Sequence, residues 1–73
     1  MNRINDYKGL LKVANEDLAA YGYSLKVYEE EEGFYFLDIV KDGVDENYAG
    51  NYYEDELSDL INDAWHHIKT NLV

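Results

Sequence analysis

The segment from residue 23 to residue 40 constrains the fold most, because it predicts a β-hairpin of defined register. Apolar residues occupy every second position from Tyr23 to Val27, which is typical of a strand with one buried face. Glu31-Glu32-Gly33 then predicts a three-residue loop with its glycine in the left-handed conformation. In this register three pairs face each other across the strands: Val27 and Leu37, Leu25 and Ile39, and Lys26 and Asp38.

A helix precedes this hairpin and a third strand follows it. Apolar side chains recur at steps of three and four over residues 4–21, and Gly22 is placed to end that helix. Asp42-Gly43 predicts a second tight turn. We expect a short strand from Val44 to about Ala49, which Gly50 breaks.

A second helix completes the predicted fold. Asn51 and Glu54 have the spacing of a capping box, which predicts a helix over residues 52–71. Without proline, linker or repeat, residues 1–73 form one small acidic domain. Its predicted class is α+β: a two-layer helix–three-stranded antiparallel meander–helix (αβββα) with both helices on one sheet face. The residues expected to be buried are Leu11, Ala14, Leu18, Leu25, Val27, Leu37, Ile39, Leu57, Ile61, Ala64 and Ile68.

The charge of the chain excludes several classes of partner. Asp and Glu number 16 against 6 Lys and Arg, which gives a formal net charge of −10. Nucleic-acid backbones and anionic membranes attract clusters of basic residues, so we expect neither direct nucleic-acid binding nor membrane binding. The acidity is regional, because residues 29–63 hold 13 acids and one base, Lys41.

Cysteine usage bears on the compartment. The chain has no cysteine, which removes disulfides and thiolate metal sites. Small domains in oxidising compartments normally carry disulfides. Charged side chains are scattered through residues 1–21, where a secretory signal would have an apolar run. We therefore expect a cytoplasmic protein.

No residue pattern predicts catalysis. Asp63 and His67 are four residues apart on the second helix, where a carboxylate can orient an imidazole. We interpret them as an ordinary ion pair on a solvated helix face and expect both side chains to be exposed. The hydroxyls outside tyrosine are Ser24, Ser58 and Thr70, and none lies in a nucleophile motif. We expect no enzyme activity.

Metal and cofactor sites are also not predicted. Asp59, Asp63, His66 and His67 can supply metal ligands. However, two ligands spaced by four residues on one helix are insufficient for a structural zinc site, which needs four well-placed donors. Residues 42–47 lack EF-hand spacing, and the glycines are too isolated to form a phosphate-binding loop. We expect no cofactor and no dedicated metal site, and weak adventitious metal binding stays open.

The acidic residues form the most informative pattern. A rigid array of carboxylates can imitate the phosphates of nucleic acid and occupy a basic protein channel. The alternative is a surface that only keeps the protein in solution. We predict a non-enzymatic protein-binding module that docks on a basic partner, a class that includes nucleic-acid-binding proteins. The predicted partner-binding residues of this acidic surface are Glu29, Glu30, Glu31, Glu32, Asp42, Asp45, Glu46, Asp55, Glu56, Asp59 and Asp63.

A short, cysteine-free, acidic and tyrosine-rich α+β chain resembles the small inhibitors of phages and mobile elements, such as anti-CRISPR and anti-restriction proteins. The resemblance covers the composition and the helix–meander–helix order of the whole chain. It implies an inhibitor that resembles DNA in charge. No functional residue is carried over, because no diagnostic motif is matched. The residues that carry it as a class are Glu29–Glu32, Asp42, Asp45, Glu46, Glu54–Glu56, Asp59 and Asp63.

The sheet supplies the second hypothesis. If both helices cover one face, the other is an open aromatic face, and a contiguous apolar patch usually marks an interface. That face would form a homodimer or dock a partner protein. The alternative is an intramolecular cover, by a helix or by Trp65 and the C-terminus. The predicted residues of this apolar sheet face are Tyr28, Phe34, Phe36 and Val40.

Overall fold

A computed structural model describes residues 7–73 of the protein. It confirms the predicted α+β class and the αβββα order. The three strands form one antiparallel sheet in the order β1-β2-β3. The start of the predicted first helix, at residues 4–6, lies outside the described residues. The elements are α1 (Tyr7–Leu18) with a 3₁₀ turn (Ala19–Tyr21), β1 (Tyr23–Glu31), β2 (Phe34–Lys41), β3 (Val44–Tyr52), a 3₁₀ turn (Glu54–Glu56), α2 (Leu57–His67) and a π-helical turn (Ile68–Leu72).

The β1–β2 hairpin has the predicted register. Val27 faces Leu37, Leu25 faces Ile39 and Lys26 faces Asp38. Gly33 has the expected left-handed conformation, with a φ of 84°. Pairing continues to Glu31 and Phe34 through a bulge between Glu29 and Glu31, so the turn is one residue shorter than the predicted loop.

The third strand is longer than predicted. Asp42 and Gly43 have φ angles of 54° and 80°, which is the signature of the tight turn that joins twisted strands. The strand then continues through Gly50 to Tyr52, so the prediction that Gly50 breaks it was wrong. The physical reason is that the Phe36 ring lies across Gly50, where a Cβ atom would overlap it. Glycine admits that ring and lets the strand continue.

The second helix begins later than predicted. Asn51 belongs to β3, with a φ of 67°, and does not cap the helix. Instead the N–H of Tyr53 donates to Oε1 of Glu56 at 2.9 Å, and Glu54–Glu56 form a 3₁₀ turn that leads into α2. The capping carboxylate therefore lies two residues beyond the predicted one, because β3 uses residues assigned to the cap.

The core lies between the sheet and both helices. All the residues expected to be buried are buried except Leu11 and Val27, which are half-buried and pack against the core. Leu60 is buried in addition. Because the buried residues of both helices share one cluster with Leu25 and Leu37, both helices lie on the same face of the sheet. That face is called the inner face below, and the opposite one the outer face.

Candidate functional site

The eleven residues of the predicted acidic surface are all exposed, but they do not form one patch. β1 ends and α2 begins at one end of the sheet, whereas the β2–β3 turn lies at the other, about 25 Å away along the strands. We call Glu29–Glu32 with Glu54–Glu56 the first acidic cluster, and Asp42, Asp45 and Glu46 the second acidic cluster. Asp59 and Asp63 lie between the ends, on α2.

The first acidic cluster converges around Tyr35. Tyr35 pairs with Glu29 on one side and with Tyr52 on the other, two residues before Glu54. Burial raises the pKa of the Tyr35 hydroxyl, and the charges of Glu29 and Glu54 raise it further. The cluster therefore concentrates negative charge at one end of the molecule. Neither of the two ion pairs formed within residues 7–73 involves it.

Two of these carboxylates also stabilise local structure. Glu29 accepts a hydrogen bond from the N–H of Gly33 at 2.7 Å and so closes the hairpin turn. Glu56 caps the N–H of Tyr53. Asp59 and Asp63 are four residues apart on α2, so their side chains extend the negative charge along its exposed side, and Asp55 precedes them in the 3₁₀ turn.

The second acidic cluster is partly neutralised. Nζ of Lys26 lies 3.1 Å from Oδ2 of Asp45, and both side chains are well exposed. This contact is the first cause of the raised pKa of Lys26. The predicted cross-strand pair of Lys26 with Asp38 has the right register, but Lys26 makes its hydrogen bond to Asp45 instead. An exposed carboxylate on the edge strand is the more accessible partner.

Asp38 is the one acid between residues 29 and 63 that is buried, at 7 % exposure. It lies on the outer face and its Oδ1 accepts hydrogen bonds from the Tyr28 hydroxyl at 3.3 Å and from Nδ2 of Asn47 at 3.2 Å. Sequence reasoning missed this site. The signal was available, because Tyr28 and Asn47 lie near Asp38 in the predicted meander, on the same face.

The outer face carries no helix from the described residues, but it is not bare. Tyr28, Phe34, Phe36 and Val40 are half-buried, and the three aromatic rings among them pack in pairs. Tyr28 stacks on Phe36 with centroids 5.6 Å apart, and Phe34 packs on Tyr53 at 5.3 Å. The suggested cover by Trp65 is wrong, because Nε1 of Trp65 donates to Asp17 on α1, on the helix side of the sheet.

The predicted Asp63–His67 pair does not form. Asp63 is exposed, whereas His67 is half-buried, with its ring centroid 5.4 Å from that of Tyr48 and Nδ1 3.2 Å from the Asn71 amide. The expectation that both are exposed was therefore wrong for His67, because β3 packs against the end of α2. Within residues 7–73 no three His, Cys, Asp or Glu side chains are grouped so that they could hold a metal ion.

No family model, curated protein or solved structure matches the chain. Among residues 7–73, no helix combines the length and the apolar character needed to cross a membrane.

Proposed function

We propose that the protein is a non-enzymatic binding module that docks on a basic protein through the first acidic cluster and the acidic side of α2. The observation that carries the proposal is the concentration of seven exposed carboxylates at one end of the sheet, outside both ion pairs of residues 7–73. A field of one sign accelerates encounter with a surface of the opposite sign. Glu29 and Glu56 also hold local structure, and the other five acids make no side-chain hydrogen bond or ion pair within residues 7–73, so they are available to a partner.

The proposal has a more specific form, in which the partner is a nucleic-acid-binding protein and the carboxylates occupy its phosphate sites. Asp59 and Asp63, four residues apart on α2, and Asp55, in the turn that leads into it, form a row of exposed charge. Tyr53 precedes Asp55 by two residues and is 57 % exposed, so it can add contact area. An inhibitor of phage or mobile-element type, acting in the cytoplasm, fits this form.

The test begins with the partner recovered from the source organism, whose association rate is then measured against purified variants. Reversing Asp55, Asp59 and Asp63 to Lys should slow association by about tenfold or more, because charge acts first on encounter. The matched triple change to Asn should have an intermediate effect. Nucleic acid should compete for the same partner. Binding that survives both the reversal and about 0.5 M salt, where screening acts over about 4 Å, would contradict the proposal.

A second candidate function is homodimerisation through the outer face, and one observation favours it. The ring pairs Tyr28–Phe36 and Phe34–Tyr53 lie on a face that no described helix covers. Sedimentation equilibrium tests it: Phe36→Glu should convert a dimer to a folded monomer, largely independently of salt. A wild-type protein that is monomeric at high concentration would exclude the dimer.

A further inference from the structure

The two edges of the sheet differ in how their backbone groups are used. On β1, the side chain of Asn15 from α1 donates to the C=O of Leu25 at 3.1 Å and accepts from its N–H at 2.7 Å. The edge of β1 is thus closed at Leu25 by the first helix. Within residues 7–73, no hydrogen bond from outside the sheet reaches the backbone of residues 44–47 on β3. The start of β3 is an open edge.

The register shows which backbone groups this edge presents. The turn at Asp42-Gly43 closes on the pair Lys41–Val44, and the pairing runs without a shift to Asn47. In a two-residue hairpin the closing pair is hydrogen-bonded, and bonded and non-bonded pairs alternate from there. The N–H and C=O groups of Asp45 and Asn47 therefore point away from β2, towards any added strand.

A cleft of about 420 Å³ lies beside this open edge. The cleft lies on the inner face, next to the end of α2, and apolar side chains form much of its lining. Val44, Tyr48 and Leu72 remain 62 %, 37 % and 44 % exposed there. Shallow apolar clefts next to an open strand edge are what strand addition uses, since alternate side chains of the added strand enter them. The lining of the cleft includes the apolar side chains of Tyr23, Ile39, Val44 and Leu72 and the charged side chains of Lys41 and Glu46.

The charge at the β3 edge indicates whether a second copy of this chain or a segment of another protein would pair with it. Asp42 and Glu46 are exposed and take no part in the ion pairs of residues 7–73, and Asp45 is paired only with Lys26. Two antiparallel copies of β3 would bring Asp45 and Glu46 of each copy close together, and like charges across a strand pair are destabilising. A segment with Lys or Arg would gain attraction from the same carboxylates.

We propose that the β3 edge from Val44 to Asn47 binds an extended, basic segment of a partner protein, which adds to the sheet as a fourth strand. Main-chain hydrogen bonds to Asp45 and Asn47 hold the segment, and an apolar side chain of it enters the cleft. This site is separate from the first acidic cluster, so it does not depend on the proposed function. It gives the protein a second contact of different chemistry.

The test uses a fluorescein-labelled nonapeptide in which lysine and valine alternate, with binding measured by fluorescence anisotropy. Its control is the same sequence N-methylated on two consecutive central residues, which blocks both edges of the peptide and keeps its charge. The control should bind at least about tenfold more weakly. Equal binding of the two peptides, or none of either, would overturn the proposal.

Variants of the protein then locate the contact. Asp45→Pro removes an N–H that points away from β2, so the hairpin keeps its own hydrogen bonds while the added strand loses one. It should weaken binding about tenfold, whereas Asp45→Asn, which keeps the N–H, should weaken it less. In the wild type, the bound peptide should protect the amides of Asp45 and Asn47 from hydrogen exchange. Protection confined to Glu29–Glu32 would assign the peptide to the first acidic cluster and contradict the edge site.

Discussion

The two faces of the sheet are stabilised by different interactions. On the inner face, aliphatic side chains such as Leu37, which is fully buried, pack beneath both helices. On the outer face, aromatic rings pack against each other. The buried carboxylate of Asp38 on β2 accepts hydrogen bonds from Tyr28 on β1 and Asn47 on β3. The difference indicates that the inner face provides most of the stability. The outer face and the exposed acidic residues lie outside this core.

The largest effect should come from a cavity on the inner face. Leu37→Ala should lower the free energy of unfolding by about 2–5 kcal/mol, because the helices cannot fully collapse onto the space. Val40→Ala, on the outer face of the same strand, should cost clearly less, since Val40 is only half-buried. Urea denaturation of both variants measures the difference. Equal losses would remove the contrast between the two faces.

A smaller effect is expected where the outer face is most closely packed. Gly50→Ala should destabilise the protein by about 1–3 kcal/mol, because the new Cβ displaces the Phe36 ring. The backbone of Gly50 does not need a positive φ, so alanine alone would otherwise be neutral or stabilising. In a Phe36→Ala background, Gly50→Ala should therefore lose its cost. A cost that persists in that background would place its origin in the backbone.

Removal of one tyrosine hydroxyl from each face provides a smaller-scale comparison of the two faces. Tyr28→Phe removes the hydrogen bond to Asp38 and should cost about 1 kcal/mol of unfolding free energy. Tyr35→Phe is the matched change on the inner face, where the hydroxyl makes no hydrogen bond within residues 7–73, and should cost less. Thermal or urea unfolding of the pair provides the measurement, and the reverse order would contradict the account of the outer face.

The smallest effect concerns the contact between the two helices. Hydrogen bonds from Lys69 and from Trp65 lower the pKa of Asp17. A lowered pKa in the folded state stabilises the protein above the usual carboxyl pKa of about 4, and this contribution disappears as pH falls through the folded value. Asp17→Asn should therefore reduce the loss of stability between about pH 7 and about pH 3. An unchanged pH dependence would show that the contact is energetically silent.

Much of the fold could be predicted because local and long-range signals agreed. The turn at Gly33, the alternation around Leu25 and the apolar face of β2 all favoured one register, and that register is observed. Gly50 misled because a glycine that breaks a strand and one that admits an aromatic ring look the same in sequence. Only the position of Phe36 across the sheet distinguishes them.

The surface was harder to predict because it depends on how distant elements meet. Acidic residues that are close in sequence, such as Glu46 and Glu54, belong to opposite ends of the sheet. Asn15 and Asp17 gave no sign of their roles, since their partners Leu25, Trp65 and Lys69 become neighbours only after the helices pack. The sequence predicted which acidic residues are exposed, but their separation into two clusters depends on the folded structure.

The most direct test of the central claim compares two single charge reversals of equal size. Asp59→Lys changes the acidic side of α2, and Glu16→Lys makes the same change on the exposed side of α1. With the captured basic partner, association should be slowed several-fold more by Asp59→Lys than by Glu16→Lys at low salt, and the difference should vanish at high salt. Equal slowing by both would mean that only net charge matters, and would contradict a defined acidic docking surface.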